Sequence, residues 1–196
     1  MSLADLSTRT ADTTAQLLPA LAERWSPRSY DAAAVIDEEK LNAALEAARW
    51  SPSAANTQPW RFIVARRGTP AFDAIVANLL GFNATWAGSA GALIVALAEV
   101  IDPEGNERRW ANYDLGQAVA HLTIQAHHDG LHAHQMGGFD AQGLREAFDI
   151  DERFVPVSVT TLGTVGDPDA LPDRLREREL APRTRVALDD ILVVNA

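Results

Sequence analysis

Four arginines stand in two pairs towards opposite ends of the chain: Arg24 and Arg28, flanking Trp25 and Ser26, and Arg183 and Arg185, separated by Thr184. A guanidinium is a planar fork of N–H donors that meets phosphate bidentately. Between the pairs runs a loop of small and polar residues, Pro52-Ser53-Ala54-Ala55-Asn56-Thr57-Gln58-Pro59-Trp60. Small side chains let backbone come close to a ring. Together these stretches are what a chain needs to hold a flat, phosphorylated ligand. Arg24 and Arg28 are spaced to share a helical face, and each pair taken alone could equally point into solvent. Asn56 carries a short amide able to serve two partners, whereas Pro59 and Trp60 are expected to pack.

Other chemistries find less support. His127, His128, His132 and His134 invite a metal reading, but they lack a clean i, i+4 pair and no nearby carboxylate completes a ligand set. A helix C-terminus is the plainer place for the first two. No Ser–His–Asp arrangement can be assembled from spacing, so hydrolysis is unsupported. The chain has no cysteine. Disulfides, thiolate metal sites and cysteine nucleophiles are therefore excluded.

The elements that must position these residues are legible from periodicity. A short or bent helix is predicted from about Thr13 to Glu23, interrupted by Pro19. Asp37 is the N-cap of a helix carrying Leu41, Leu45 and Ala48 on one face, which stops near Trp50 because Ser51-Pro52 disfavours continuation. Phe62–Ala65 reads as a strand and Ala71–Leu80 as a helix closed by Gly81. The apolar run Ala92–Ala98 reads as a central strand covered on both faces. Asp102–Asn106 is a turn, and Asn112–Asp129 the strongest helix, with Leu115, Val119, Leu122 and Ala126 in register and Gly130 after it. A strand near Leu131–Met136, a helix over Ala141–Phe148 and a strand over Val155–Val165 follow. Gly166–Arg185, rich in Pro, Asp and Arg, reads as an ordered loop. Ile191–Val194 forms an apolar tail expected to dock, on a second subunit for instance. Strands and helices mix without strict alternation, so an α+β sandwich around one sheet is expected.

The 196 residues are expected to form a single domain, 1–196. A formal charge of −10 argues against a broad nucleic-acid-binding face and makes the arginine clusters local positive islands. The N-terminal stretch lacks a basic segment followed by a long apolar one, so no leader is read, and no run is long enough to span a membrane. A cytoplasmic protein is the expectation.

Taken together, the stretches resemble the flavin-dependent nitroreductase family from about Glu23 to Arg185. Residues 49–60 look like that family's hallmark segment. Order and separation make the shorter arginine motifs specific in combination. The resemblance implies a nitroreductase-like sandwich with a central, mostly antiparallel sheet flanked by helices, in an obligate homodimer that holds FMN at its interface. Arg24, Trp25, Ser26 and Arg28 would come from one subunit, with Arg183 and Arg185 at the phosphate and ribityl end. Pro52, Ser53, Ala54 and Asn56 would approach the isoalloxazine from the other. Asn83 would bond the pyrimidine edge. Gln135, Met136, Gly137 and Gly138 would lie along the ring, with a backbone N–H near Gly137 facing N5.

The chain departs from the family in three places. Gly137 stands where many relatives carry an acidic side chain. Trp86 stands where a lysine is common near the pyrimidine edge, which moves the stabilisation of the reduced, anionic flavin onto Arg28. A unit charge about 4 Å from that anion is worth roughly 4 kcal/mol at an effective dielectric of about 20. The segment Glu99–Trp110 is short where larger relatives have a helical cover, leaving a more open pocket. Of the aromatics Phe82, Trp86, Trp110 and Tyr113, either Trp86 or Trp110 is expected to stack on the exposed ring face.

The implied activity is that of an FMN-dependent oxidoreductase using NADH or NADPH, with ping-pong hydride transfer through N5 to a nitroaromatic, quinone or similar acceptor. No side chain need act as general acid, so no catalytic residue is named. Alternatives are a flavin-sequestering protein without turnover, another FMN enzyme such as a dehydrogenase or dehalogenase, and an interaction domain without cofactor.

Overall fold

In the computed structural model, which describes residues 9–195, the sheet is built from four antiparallel strands. These are β1 (Trp60–Arg66), β2 (Ala92–Glu99), β3 (His132–Met136) and β4 (Phe154–Gly163), in the order β1-β2-β4-β3. Residues 1–8, on which the expectation of no leader rested, lie outside the described residues.

Every residue of β2 is buried, and the reason is layering. Ala92, Ile94, Ala96 and Ala98 pack in one cluster with α2 (Glu38–Arg49) and α5 (Ala111–His128). Leu93, Val95 and Leu97 point the other way, into a cluster with α3 (Pro70–Ala77), Trp86 of α4 (Asn83–Trp86) and Leu144 of α6 (Ala141–Phe148). A strand covered on both faces has no polar side to present, which explains its continuous apolar run. An α+β sandwich around one antiparallel sheet is the observed architecture.

Local signals set most boundaries. Asp37 accepts from the amides of Glu39 and Lys40 at 3.0 and 3.2 Å and caps α2. Thr69 caps α3, which ends at Ala77 rather than near Leu80. The reason is that Leu79 leaves the helix to bridge Phe139. Gly130, at φ 82°, ends the long helix in the left-handed region.

Two expectations are corrected. The first helix, α1 (Pro19–Glu23), begins at Pro19, because proline opens a helix well and interrupts it badly. Residues 166–185, expected as loop, contain helix α7 (Asp173–Leu180). A last short helix, α8 (Leu188–Ile191), precedes an exposed apolar tail in which Val193 is 98% accessible. Between β2 and α5 lies only a tight turn, in which Asp102 accepts from the amides of Glu104 and Asn106.

Candidate functional site

The chain leaves α1 at Arg24 in extended backbone, with φ −63° and ψ 138°. Arg24 and Arg28 therefore do not share a helical face. The structure nonetheless gathers Arg24, Arg183 and Arg185. Burial, and after it the charges of Arg183 and Arg185, depress the pKa of Arg24. Burial, and after it Arg185 and Arg9, does the same to Arg183. Like charges held together raise one another's cost unless an anion joins them.

Arg24 donates through Nη2 to Ser26 Oγ at 3.2 Å, while its Nε is buried with no hydrogen-bond partner. Arg183 donates to the carbonyls of Arg9 and Ala22, each at 2.6 Å. Arg185 is exposed and, among the described residues, donates only to the adjacent Thr184 carbonyl, at 2.7 Å. Among the described residues none of Arg24, Arg183 and Arg185 takes part in an ion pair. The cluster is a positive island in an acidic protein.

The second arginine of the N-terminal run is differently placed. Arg28 donates its amide to Glu179 Oε2 at 2.9 Å, and its Nη1 lies 3.9 Å from the same oxygen. Glu179 is 2% exposed, and burial raises its pKa against the opposing pull of the Arg28 amide and the Arg9 charge. The Arg28 charge thus already has a buried counter-ion, which weakens the expected reliance of a reduced flavin on it. Trp25 is buried rather than open to a ring: it packs on His132 with centroids 4.7 Å apart, beneath the Arg9 guanidinium at 5.1 Å. Sequence reasoning missed Arg9 and Glu179.

Asn83 and Gly138 meet as one unit. Asn83 Nδ2 donates to the Gly138 carbonyl at 3.1 Å, beside the Leu80 amide at 3.0 Å. Of the preceding residues, Gln135 turns inward to donate to Thr123 Oγ1 at 2.6 Å, and Met136 is buried in the core. Gly137 is exposed, its amide makes no backbone hydrogen bond among the described residues, and a side chain there would meet nothing within 4 Å. Only the backbone of this run is available to a ligand at Gly137.

The Pro52–Trp60 loop is held in an unusual shape. Ala55, Asn56 and Gln58 adopt φ of 50°, 56° and 48°, a left-handed region that side chains other than glycine enter at a cost. The fold imposes it from three sides. Ala54 donates its amide to Asp114 Oδ2 at 3.0 Å, and Gln58 donates its amide to Ser53 Oγ at 3.0 Å. Arg108 donates to the Thr57 carbonyl at 2.8 Å. The result leaves Pro52, Ala54 and Asn56 exposed. Asp114, buried on the first turn of α5, also went unread, since an acid there is ordinary.

The loop and the arginine island do not meet within one chain. The loop is tied to Asp114 at the start of α5. The island sits over its end, where Trp25 packs at a tilt on His132 and His132 lies 5.0 Å from His127. From Asp114 to His127 is thirteen helical residues by numbering (127 − 114 = 13), or roughly 20 Å of axis.

Of the two aromatics expected to stack on the ring, the structure closes off Trp86 and leaves Trp110 open. Trp86 is 3% exposed, stacked on Tyr30 at 6.3 Å and close to His134 at 4.7 Å, so it is core and covers nothing. Trp110 is exposed, against Tyr113. Among the described residues no cluster of three potential metal ligands occurs.

Comparison with known proteins decides the family. The Nitroreductase family profile matches residues 21–164. The chain belongs to the nitroreductase family. It is 38% identical over 141 residues to an uncharacterised 15.4 kDa protein of Mycolicibacterium smegmatis, covering 67% of this chain and 92% of that one. It is 27% identical over 183 residues to the Bacillus subtilis protein YdgI, which carries the name of an NAD(P)H nitroreductase, covering 74% and 86%. A solved oxidoreductase described as containing FMN superposes with a TM-score of 0.83 at 34% identity, covering 89% of this chain and 90% of that one. Membership of this family makes an oxidoreductase the coarse assignment.

Proposed function

We propose that this nitroreductase-family member is an FMN-dependent NAD(P)H oxidoreductase acting as a homodimer, the whole chain forming one domain. The observation that carries it is the arginine island. Three guanidinium groups share a site, none of them ion-paired among the described residues, and a buried N–H of Arg24 lacks an acceptor among those residues. A phosphomonoester supplies both the missing charge and the missing acceptor. The residues present fit the phosphate end of FMN, and the bare Gly137 backbone fits the approach of a flat ring.

The separation of loop and island along α5 supports a second copy. A ligand gripped by Arg24, Arg183 and Arg185 of one copy receives Pro52, Ser53, Ala54 and Asn56 from the other. Exposed Trp50, Trp110, Tyr113, Leu188, Ile191 and Val193 supply apolar surface for such a contact.

FMN supplies hydride acceptance at N5 from a reduced nicotinamide and onward transfer to an acceptor such as a nitroaromatic or quinone, in a ping-pong cycle. The protein's own part is to hold and to shape. Arg24, Arg183 and Arg185 would bind the anionic end, the Asn83 side-chain amide, held in place by the Gly138 carbonyl, would address the polar edge, and the Gly137 amide would offer a donor at the ring. With only a short turn after β2, water reaches the site and supplies protons.

Complementation tests the shared site. Arg185→Ala and Asn56→Ala homodimers should each lose bound flavin, read by absorption of the purified protein. Co-expressed, they should recover flavin in about a quarter of all sites, because random pairing makes about half the dimers mixed and each mixed dimer rebuilds one of its two sites. Failure to recover any would reject the shared arrangement. Colourless wild-type protein unresponsive to added FMN would reject the cofactor.

A further inference from the structure

Helix α7 carries all of its charged side chains except Glu179 on exposed faces. Leu175 and Glu179 are buried, whereas Arg174 and Arg178, four residues apart and so on one face, are exposed. Both reach towards the same ring: Arg174 Cζ lies 4.9 Å and Arg178 Cζ 6.0 Å from the centroid of Phe82, which is 48% exposed. Arg176, on another face, is spent on Asp169. Arg174 and Arg178 take part in no ion pair among the described residues. In a chain of formal charge −10, two arginines left without carboxylates around an exposed aromatic form a distinct patch.

Its surroundings give it a role. Phe82 immediately precedes Asn83, whose amide holds the Gly138 carbonyl beside the exposed Gly137 backbone. The same helix that presents the arginines is pinned through Glu179 to the Arg28 amide. A hollow of about 310 Å³ opens alongside, lined by Tyr30, Ala84, Thr85, Trp86 and the Leu171–Pro172 turn that leads into α7. The patch therefore lies at the margin of the proposed flavin site, on elements anchored to it.

Resting on that reading, we propose that Phe82, Arg174 and Arg178 dock the 2′-phosphoadenosine end of NADPH, the purine against the Phe82 ring and the 2′-phosphate between the guanidinium groups. Stacking on an aromatic is indifferent to the 2′ substituent, whereas two guanidinium forks discriminate strongly for a dianion. The site makes NADPH, rather than NADH, the preferred reductant.

Calorimetry on the flavin-loaded dimer separates the possibilities without any turnover. Adenosine 2′,5′-bisphosphate should bind at least about tenfold more tightly than AMP, as one charged hydrogen bond more requires. Inorganic phosphate alone should bind far more weakly than either. In R174A/R178A, whose changes lie on an exposed helix face, the preference for the bisphosphate should vanish, and the NADPH-to-NADH ratio of kcat/KM should fall by a similar factor. Phe82→Leu should weaken both nucleotides alike. Protein that carries flavin yet binds the two nucleotides equally, or keeps its preference in R174A/R178A, overturns the site and leaves the flavin reading intact. Inorganic phosphate binding as tightly as the bisphosphate overturns it too, by reducing the patch to an anion site. Protein that takes up no flavin overturns both.

Discussion

Arg108 holds Glu99 and Thr57 at once: Nη2 lies 3.4 Å from Glu99 Oε2 while Nη1 donates to the Thr57 carbonyl at 2.8 Å. Glu99 is 3% exposed at the end of β2 and also faces Arg153 at 2.8 Å and Arg61 at 3.9 Å. Arg61 in turn donates to the carbonyls of Gln58 and Trp60, at 3.1 and 2.7 Å. One buried carboxylate thus orders two arginines that grip the left-handed loop by its carbonyls. Glu99→Ala should lower stability by about 2 kcal/mol, the scale of lost charged hydrogen bonds whose cationic partners still reach water. The urea midpoint checks it, and a change below about 0.5 kcal/mol would show the hub to be idle.

Arg108→Ala separates shape from stability. It removes the Thr57 anchor and leaves Glu99 its other two arginines. Amide exchange at residues 54–58 should accelerate while exchange in β2 and β4 stays slow. Unchanged exchange in the loop would mean that Asp114, Ser53 and Arg61 suffice to hold it.

Ala55 tests the cost of the loop's backbone directly. At φ 50° a β-branched side chain collides with its own backbone. Ala55→Val should therefore destabilise by about 1–3 kcal/mol. Ala55→Gly should fall within about 0.5 kcal/mol of wild type, relief of strain offsetting the entropy of glycine. Equal effects of the two would place the loop outside the left-handed region in solution.

The two halves of the site differed in how far the sequence alone revealed them. The sheet, α2 and α5 were readable because their apolar spacing matches their burial: Leu41 and Ala48 on α2, and Leu115, Leu122 and Ala126 on α5, are all buried. Helix α7 was not, because Leu175 is its only buried apolar residue, too little to make a stripe. Its other buried residue, Glu179, is fixed by Arg28, 151 positions away in sequence. Such a contact leaves no local periodicity. Residue types picked out Arg24, Arg183 and Arg185, and the fold does gather them. Trp86 misled because an aromatic beside a proposed site and an aromatic in a core read alike. The strain at Ala55 was equally hidden, since alanine carries no signal for a left-handed backbone and the tethers that impose it come from Asp114 and Arg108.

Arg183 and Arg185 should part company when removed. Arg183 ties the Arg9 and Ala22 carbonyls together, so Arg183→Ala should lower stability by about 1 kcal/mol as well as weaken FMN binding. Arg185 makes only a contact to its neighbour. Its removal should leave the urea midpoint within about 0.5 kcal/mol while weakening FMN affinity by about 1.5–3 kcal/mol. Flavin fluorescence titration beside denaturation distinguishes them, and unchanged affinity would remove Arg185 from the site.

Acid should destabilise the protein through two histidines of β3. Burial lowers the pKa of both His132 and His134 to about 4, with the charge of His127 adding to the first. His134 Nδ1 lies 2.9 Å from the Pro27 carbonyl, which only accepts, so Nδ1 carries the proton of the neutral ring. The unfolded chain binds a proton on each near pH 6.5, whereas the folded chain resists until about pH 4. The unfolded state therefore holds more protons throughout that window, and stability must fall as pH drops from about 6.5 towards 4. Glu179, raised by burial, has the opposite sign, its stabilising share being lost as pH rises through its folded pKa. His134→Gln, which retains a donor for Pro27 but cannot titrate, should flatten the slope of stability against pH by up to one proton between pH 4.5 and about 6. An unaltered slope in that variant would mean that His134 is already charged in the folded protein.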